Sequence, residues 1–365
     1  MRIVHSISGL RKNAGTTTFL IEALQYTSKE KGVEIFLLAK KNQLETTPNF
    51  RINRITPTNT FAYHTLLKSI HKEKPIDIVN IHGIWSPSDW VTFYSAKKLR
   101  IPVIWSTHGM LAKDALRFSY WKKKIVFFLF LKGLLKKTEA FHATSELEAN
   151  IIKGSGYTQP ILIGPPGISQ KLVNEKTEFS KPKTLLFLSR IHPIKNLSSL
   201  IKAWGQVDTK DWQLLIVGPD EEEEASRIAE TIREKNLHNI LIRGPAYEEE
   251  KQNILRQASA FVLPSFTENF GIVVIEALAK GLPVITTTGC PWEELESHGC
   301  GWWVKADPDN LSLALSTLFN LSDSELKEYS DKAVGLVRKN YLWPKISENM
   351  LSFYRELLRN RSSQK

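Results

Sequence analysis

Short β-rich runs alternate with longer helical segments along most of this chain, and this alternation restricts the fold more than any other feature. The first half contains five such runs, "RIVHSI", "VEIFLLAK", "IDIVNIHG", "PVIWSTHG" and "AFHATS". The segments between them have the period of helices. Strands that alternate with helices form parallel βαβ units, because a parallel neighbour must be reached by a crossover. The first half therefore predicts a doubly wound α/β domain.

A second series of the same kind follows. Its runs are "TLLFLSR", "WQLLIVG", "NILIRG", "FVLPS" and "LPVITT", with helices predicted over 196–206, 223–235 and 271–280. The polar segment 169–183 has little periodicity and predicts a linker, so we expect domains over 1–168 and 169–342. The chain of 365 residues is long enough for two cores. Ligands of such sheets bind beyond the carboxyl ends of the strands, which predicts a site in the cleft between the two domains.

The net charge of +11 is concentrated in the first half. Residues 1–168 hold 24 Lys and Arg against 11 Asp and Glu, whereas residues 169–365 hold 25 against 27. An excess of this size favours an anionic partner, which leaves nucleic acid, an anionic membrane surface and a phosphorylated substrate open.

The segment "WKKKIVFFLFLKGLLKK", residues 121–137, is the densest part of this charge. Its apolar run is too short for a bilayer, which requires about 20 residues. Two interpretations remain open. The segment is either a helix that lies on an anionic membrane surface or a core helix whose lysines extend to water.

The remaining composition favours a cytoplasmic location. The chain has two cysteines, Cys290 and Cys300, which are too few for a disulfide framework and lack the spacing of metal ligands. The N-terminal "MRIVHSISG" has neither the length nor the cleavage site of a secretory signal.

Candidate site residues of the first half follow strand ends. A turn predicted from Ser8 to Gly15, which includes Gly9, precedes a helix whose first amides would suit a phosphate or a sugar. It matches neither the Walker A pattern nor the dinucleotide fingerprint, so NAD is disfavoured. His82 and His108 each close a strand and precede a glycine, which favours contact with a ligand over simple packing.

The second half carries the charged candidates. Arg190 follows a strand and Lys195 enters a helix, an arrangement that suits a diphosphate. Glu268 and Glu276 flank Gly271 in "SFTENFGIVVIEALAKG", and the free amides of 270–273 predict an anion site. Carboxylates accept hydrogen bonds from vicinal hydroxyls, so one acid would hold a sugar and the other a ribose.

These residues resemble the retaining nucleotide-sugar glycosyltransferases of family 4 (glycosyltransferase group 1). The likeness lies in the two glutamates of "TENFGIVVIEALAKGLPVI", the cations of "FLSRIHPIKN" and the histidine of "STHGM", with weaker echoes in "LLIVGP", "IRGPAYEEEKQNIL" and "GWWVKADPDNLSLAL". It implies the GT-B fold, two doubly wound Rossmann-like domains that face each other across a deep cleft. It also implies that residues 343–365 form a helix that packs back on the first domain.

The resemblance assigns roles to positions of this sequence. Arg190 and Lys195 would bind the donor diphosphate, Glu276 the ribose, and Glu268 the transferred sugar. His108 would contact that sugar near the reacting centre. The further donor positions implied are the backbone around Arg243 and Gly244 for the base, and the segment Asn269, Phe270, Gly271 and Ile272 for the sugar and phosphates. Gly9, Gly15 and His82 would face the phosphate or the acceptor.

No metal and no cofactor are implied, because two cations and a helix terminus would neutralise the leaving group. The resemblance implies a hexosyltransferase that retains the anomeric configuration. Its partners would be a nucleotide-sugar donor and a glycan or lipid-linked glycan acceptor of cell-surface polysaccharide or lipopolysaccharide synthesis. Together with the basic segment 121–137, this favours the inner face of the cytoplasmic membrane.

One departure from the family pattern and two rival functions remain. Relatives usually carry Pro-Asn-Gly where this chain has Pro165, Pro166 and Gly167, which leaves the role of the asparagine unfilled. A nucleotide-sugar epimerase of the same fold would need the same pocket for the donor. A basic adaptor for membrane or nucleic acid would use the lysines alone, and the aromatic and basic interleaving of single-strand binders is missing, so we expect no nucleic acid partner.

Overall fold

The computed structural model describes residues 1–12, 14–42, 52–112, 126–173 and 183–363. It divides into two compact units: residues 1–167 with 343–365, and residues 168–342. This division falls one residue before the predicted boundary at 168/169. It assigns the C-terminal segment to the first unit.

The first unit is built on a parallel sheet of seven strands in the order β3-β2-β1-β4-β5-β6-β7. Strands β4, β5 and β6 are buried along their whole length, as a parallel sheet covered on both faces requires. The strands are β1 Arg2–Leu10, β2 Glu34–Asn42, β3 Ile52–Ile55, β4 Ile78–His82, β5 Val103–Ser106, β6 Ala140–Ala143 and β7 Ile161–Ile163. The helices between them are α1 Gly15–Thr27, α2 Ala62–Glu73, α3 Pro87–Lys98, α4 Lys132–Leu135, which follows a π-helical turn at Phe127–Leu131, and α5 Glu146–Gly154.

The second unit contains a parallel sheet of six strands in the order β10-β9-β8-β11-β12-β13. Its strands are β8 Lys183–Leu188, β9 Trp212–Val217, β10 Ile240–Arg243, β11 Ala260–Leu263, β12 Val284–Thr287 and β13 Gly301–Val304. Its helices are α6 Leu197–Trp204, α7 Glu224–Glu234, α8 Glu248–Gln257, α9 Ile272–Ala279, α10 Glu294–Ser297, α11 Pro308–Asn320 and α12 Asp323–Asn340, with 3-10 turns at Gln170–Leu172 and Pro193–Lys195.

The C-terminal helix α13, Trp343–Ser362, is anchored by its first residue. The Trp343 side chain is fully buried, stacks on the Tyr26 ring at 5.8 Å and donates its indole N–H to Glu22 over 2.9 Å. The indole also explains Gly167, since a Cβ there would lie 2.6 Å from Trp343. Further along, the Tyr354 hydroxyl accepts a 2.9 Å hydrogen bond from Asn80 in β4. Helix α13 is thus tied to the first unit by buried contacts.

All ten strands that the sequence predicts are present, and three were missed. Strands β3, β7 and β13 have three or four residues and lie outside the ten runs from which the sequence predicted strands. The predicted turn from Ser8 is wrong at its start, because β1 continues through Leu10 and Gly9 pairs with Lys41 of β2. Of the predicted linker 169–183, residues 174–182 lie outside the described residues.

The basic segment 121–137 is described from residue 126 onward, and Lys122, Lys123 and Lys124 lie outside the described residues. In the described part, Leu131, Leu134 and Leu135 are buried and the Phe130 ring lies 5.0 Å from that of Trp90. This part is a core helix, while a role of the three lysines at a membrane stays a prediction. Across the described residues, the helices are too short or too polar to span a bilayer.

We predict that Trp343→Ala lowers the free energy of unfolding of the first unit by about 3–5 kcal/mol, because it removes a buried indole and leaves a cavity. Ser352→Ala is the control, since Ser352 is exposed on the same helix and its replacement changes stability by less than about 0.5 kcal/mol. Urea unfolding measures both. Equal stability of the two variants would contradict the anchoring role of Trp343.

Candidate functional site in the second unit and the histidine row of the first

The segment after β11 forms the centre of the candidate site. Gly271 precedes α9 with a φ of +80°, a left-handed conformation that strains any residue with a Cβ. Helix α9 is apolar on nearly all sides and lies in the core. Its N-terminus is therefore fixed at the carboxyl edge of the sheet. The first amides of a helix have no partner within the helix, so they are suited to bind an anion.

Lys195 and Glu268 are directly paired in this segment. The Lys195 ammonium donates to the Glu268 carboxylate, and the Ser265 hydroxyl donates to the same oxygen over 2.9 Å. Both side chains are largely buried, with 9% and 14% of their area exposed. Asn196 fixes the turn, because its amide donates to the carbonyls of Pro264 and Ala306. The structure thus brings together two predicted site residues that are 73 positions apart in sequence.

Arg190 has a counter-ion that the sequence did not reveal. Its guanidinium lies 2.5 Å from the Glu221 carboxylate, and more than half of the arginine side chain is exposed. Gly218 permits the approach of the two loops, since a Cβ there would lie 1.8 Å from the Ser189 carbonyl. The acidic run at 221–224 was the available signal, but nothing in it indicates which cation it meets.

Glu276 also has a partner that the sequence did not indicate. The Lys251 ammonium of α8 lies 2.7 Å from one Glu276 oxygen and 2.6 Å from the other. Glu276 is largely buried and Lys251 is more exposed. Burial of a carboxylate requires such compensation. Each of the four charged donor candidates therefore has an opposite charge within hydrogen-bond distance.

Gly244 and Arg243 lie at the exposed carboxyl end of β10. Arg243 pairs with Glu250 at 2.6 Å, and a Cβ added at Gly244 would meet no atom within 4 Å. Asn269, Phe270 and Ile272 flank Gly271 at the start of α9 as predicted, with the Phe270 carbonyl accepting the indole N–H of Trp292 at 2.6 Å. These positions share the sheet edge with Arg190 and Lys195, because parallel strands end at one edge.

In the first unit, His108 follows β5 with a φ of 49°, and Gly109 has a φ of +74°. Glu148 of α5 holds this turn, because its carboxylate accepts 2.6 Å hydrogen bonds from the Thr107 hydroxyl and the Gly109 amide. His108 is partly exposed. The sequence did not identify Glu148, which lies on a helix 39 residues away from Gly109.

His82 lies deeper than the sequence predicts. Its side chain is buried, and its ring is bonded to His108 on one side and to His5 on the other, at 2.9 Å each. His5, which the sequence analysis missed, is also buried. Gly15 is the exposed first residue of α1, whereas Gly9 is within β1. Of the four first-half candidates, His82, His108 and Gly15 thus lie at the strand end or helix start that the sequence predicted, whereas Gly9 lies within β1.

Among the described residues, no group of three His, Cys, Asp or Glu side chains has the arrangement of a metal site. Burial raises the pKa of the Cys290 thiol to about 11 and that of Cys300 to about 12, so both remain uncharged packing groups.

Comparison with known proteins identifies the family and the fold of the chain. The family model "Glycosyltransferase Family 4" matches residues 15–171, and the model "Glycosyl transferases group 1" matches residues 169–333. Together they account for most of both units. The chain belongs to the group 1 glycosyltransferases of family 4, and its two Rossmann-like domains define it as a GT-B protein.

Two similar sequences and one similar solved structure show what the chain resembles. The sucrose synthase of Acidithiobacillus caldus is 28% identical over 52% of this chain and 26% of its own length. The phosphatidyl-myo-inositol mannosyltransferase of Mycobacterium leprae is 24% identical over 80% of this chain and 77% of its own. The solved structure of Anabaena HepE in complex with UDP is 14% identical, with a TM-score of 0.78 over 97% of this chain and 99% of that one. The chain spans about a quarter of the length of the sucrose synthases that it matches.

We predict that Gly271→Ala lowers the free energy of unfolding of the second unit by about 1–2 kcal/mol, because alanine is strained at a positive φ. Its Cβ would also lie 3.3 Å from Leu263. Gly335→Ala in helix α12 is the matched control, since its Cβ meets open space and helix propensity favours alanine by about 0.5–1 kcal/mol. Urea unfolding of the two variants should therefore give changes of opposite sign. A stabilised Gly271→Ala would contradict the role of this glycine.

Proposed function

We propose that this protein transfers a sugar from a nucleoside diphosphate sugar to a glycan or lipid-linked glycan, with retention of the anomeric configuration. The observation that supports it most is the arrangement after β11, where Lys195 meets Glu268 beside the amides that begin at Gly271. A cation, free amides and an acid in one place suit a phosphate joined to a polyol. Glu276, within α9, and Arg190, after β8, are each paired with a side chain of opposite charge type and are the further donor contacts of this proposal.

The ion pairs describe how the site is prepared for a donor. In the proposal, the diphosphate takes the place of Glu221 on Arg190 and shares Lys195 with Glu268. The Glu276 carboxylate accepts hydrogen bonds from the ribose hydroxyls and keeps the one from the Lys251 ammonium. The exposed pair of Arg190 and Glu221 is the easiest to exchange, since such pairs contribute at most about 1 kcal/mol.

The chemical step in this proposal forms one bond to the anomeric carbon of the sugar and breaks another. The acceptor oxygen attacks the anomeric carbon on the face from which the diphosphate departs, as the bond from that carbon to the phosphate oxygen breaks. The acceptor proton leaves on the diphosphate. Arg190, Lys195 and the α9 amides stabilise the departing negative charge, an effect that grows in the transition state. Glu268 and His108 hold the sugar and form no covalent intermediate, and the proposal includes no metal and no cofactor.

The acceptor part of the proposal rests on charge. The strongly basic first half suits an acceptor at an anionic membrane surface. One similar protein is named for transfer to phosphatidyl-myo-inositol. We infer a glycan or lipid-linked glycan of cell-surface polysaccharide or lipopolysaccharide synthesis, with the protein peripheral on the inner face of the cytoplasmic membrane.

We predict that Arg190→Ala lowers transfer by at least about a hundredfold, because one fixed charge on the leaving group is lost. It should leave the fold intact, since the pair with Glu221 is exposed. Arg227→Ala is the matched control, because Arg227 is also an exposed arginine paired with a glutamate, but lies on α7. The first measurement is a thermal-shift screen of nucleoside diphosphates and their sugars, followed by transfer assays with the donor that binds.

In the same assays, Glu276→Gln should weaken donor binding, because it removes the carboxylate that accepts hydrogen bonds from the ribose hydroxyls. Full transfer by either Arg190→Ala or Glu276→Gln would refute this donor site. Conversion of the donor to an isomer without acceptor would favour the epimerase instead.

A separate prediction concerns the membrane. Replacement of Lys122, Lys123 and Lys124 by alanine should weaken binding to anionic vesicles, because each lysine near such a surface contributes about 1 kcal/mol. The control is the triple replacement of the exposed lysines Lys202, Lys210 and Lys235 in the second unit. Sedimentation with anionic and neutral vesicles distinguishes the two. Unchanged sedimentation of the first variant would contradict the membrane role of the segment.

A further inference from the structure

Three histidines from adjacent strands form one hydrogen-bonded row in the first unit. Nδ1 of His5 in β1 lies 2.9 Å from Nε2 of His82 in β4, and Nδ1 of His82 lies 2.9 Å from Nε2 of His108 after β5. Successive rings are stacked, with centroids 5.2 Å apart and planes within 23° of each other. Strands β1, β4 and β5 are neighbours in the sheet, so the row crosses the sheet from the middle of β1 to the carboxyl ends of β4 and β5.

The geometry of this row restricts the protons it can carry. A neutral imidazole has one N–H, and each hydrogen bond between two rings needs one proton. If His5 donates from Nδ1, His82 must accept at Nε2 and donate from its own Nδ1. His108 then accepts at Nε2 and carries its proton on Nδ1. In the opposite arrangement, all three rings are protonated on Nε2. The three neutral rings therefore share one tautomer.

Burial keeps the rings neutral. It lowers the pKa of His5 to about 3 and that of His108 to about 4, and it lowers the pKa of His82 well below its usual value. The neighbouring His142 opposes a positive charge on all three, while Glu148 favours one on His108.

We infer that His82 and His5 are positioning residues, which fix the ring orientation of His108 and decide whether its outer nitrogen, Nδ1, donates or accepts a hydrogen bond. This inference rests on the proposed function, in which His108 contacts the transferred sugar. The outer nitrogen is a donor when the row is protonated on Nδ1 and an acceptor when it is protonated on Nε2. A change at Nδ1 of His108 is therefore linked, through two proton shifts, to Nε2 of His5.

His142 provides a matched contrast in the next strand, β6. It is buried, as His5 and His82 are, and its ring lies 5.6 Å from the Phe19 ring, which also contacts His108. Its Nε2 lies 2.9 Å from the Gly164 carbonyl, which can only accept. The tautomer of His142 is therefore fixed by the backbone, independently of the row.

The first test is the tautomer of each ring in the full chain without any ligand, measured by long-range ¹⁵N–¹H NMR. We expect His5, His82 and His108 to share one tautomer and to stay neutral as the pH falls from about 8 to about 5.5, because their pKa values lie below the usual 6.5. Opposite tautomers in neighbouring rings, or a titration of His82 near pH 6.5, would overturn the inference. This result does not depend on whether the protein transfers sugar.

The second test is His82→Phe, which keeps a stacked ring but removes both hydrogen bonds. We expect the tautomer signals of His108 to change and those of His142 to stay. Turnover should fall roughly tenfold to a hundredfold, as for residues that orient a histidine ligand, with the KM for the donor little changed. His5→Phe, which keeps the bond from His82 to His108, should have a smaller effect.

Normal turnover in a folded His82→Phe, beside an inactive His108→Ala, would refute the positioning role and leave the proposed function standing. Normal turnover in His108→Ala would instead refute the proposed role of His108. If His82→Phe does not fold, the NMR measurement on the unmodified chain still decides the inference.

Discussion

Parallel pairing is the constraint on which the structure of both units depends. Because every strand runs in the same direction, every carboxyl end lies at one edge of its sheet, and the residues that follow the strands are brought together there. This places Arg190 after β8 and Glu268 after β11 on one edge. In the first unit it aligns His82 and His108 in the same way. Neither arrangement requires the residues to be close in sequence.

Charge compensation is the second theme of the second unit. Lys195, Arg190 and Glu276 each form an ion pair with a residue of opposite charge. No sequence motif identified the partners Glu221 and Lys251. A half-buried charge without a partner would cost several kcal/mol, so the fold supplies one in the absence of ligand. In the proposed function, a ligand with phosphates and hydroxyls replaces or shares these partners. The ion pairs then stabilise the charged residues until the donor takes over their contacts.

The buried polar groups of the first unit differ from these ion pairs, because the row of His5, His82 and His108 is neutral. The histidines satisfy each other across the sheet, whereas His142 relies on a backbone carbonyl and Glu148 on hydroxyls and amides. Buried polar groups are tolerated when every hydrogen bond is made. The sequence predicted His82 and His108 as separate candidates for ligand contact. It could not show that they form one unit with His5, because their contact depends on the order of strands in the sheet.

The sequence by itself determined the two α/β domains, ten of the thirteen described strands and the residue types at the ends of the strands. Hydrophobic periodicity is a local property of the chain, so it can be determined from the sequence alone. Only the tertiary structure decided the short strands β3, β7 and β13, the depth of His82, and the partners Glu221, Lys251, Glu148 and His5. Those partners lie on other elements of the fold. A local sequence pattern does not indicate which side chain of a distant helix, strand or loop will contact a given residue.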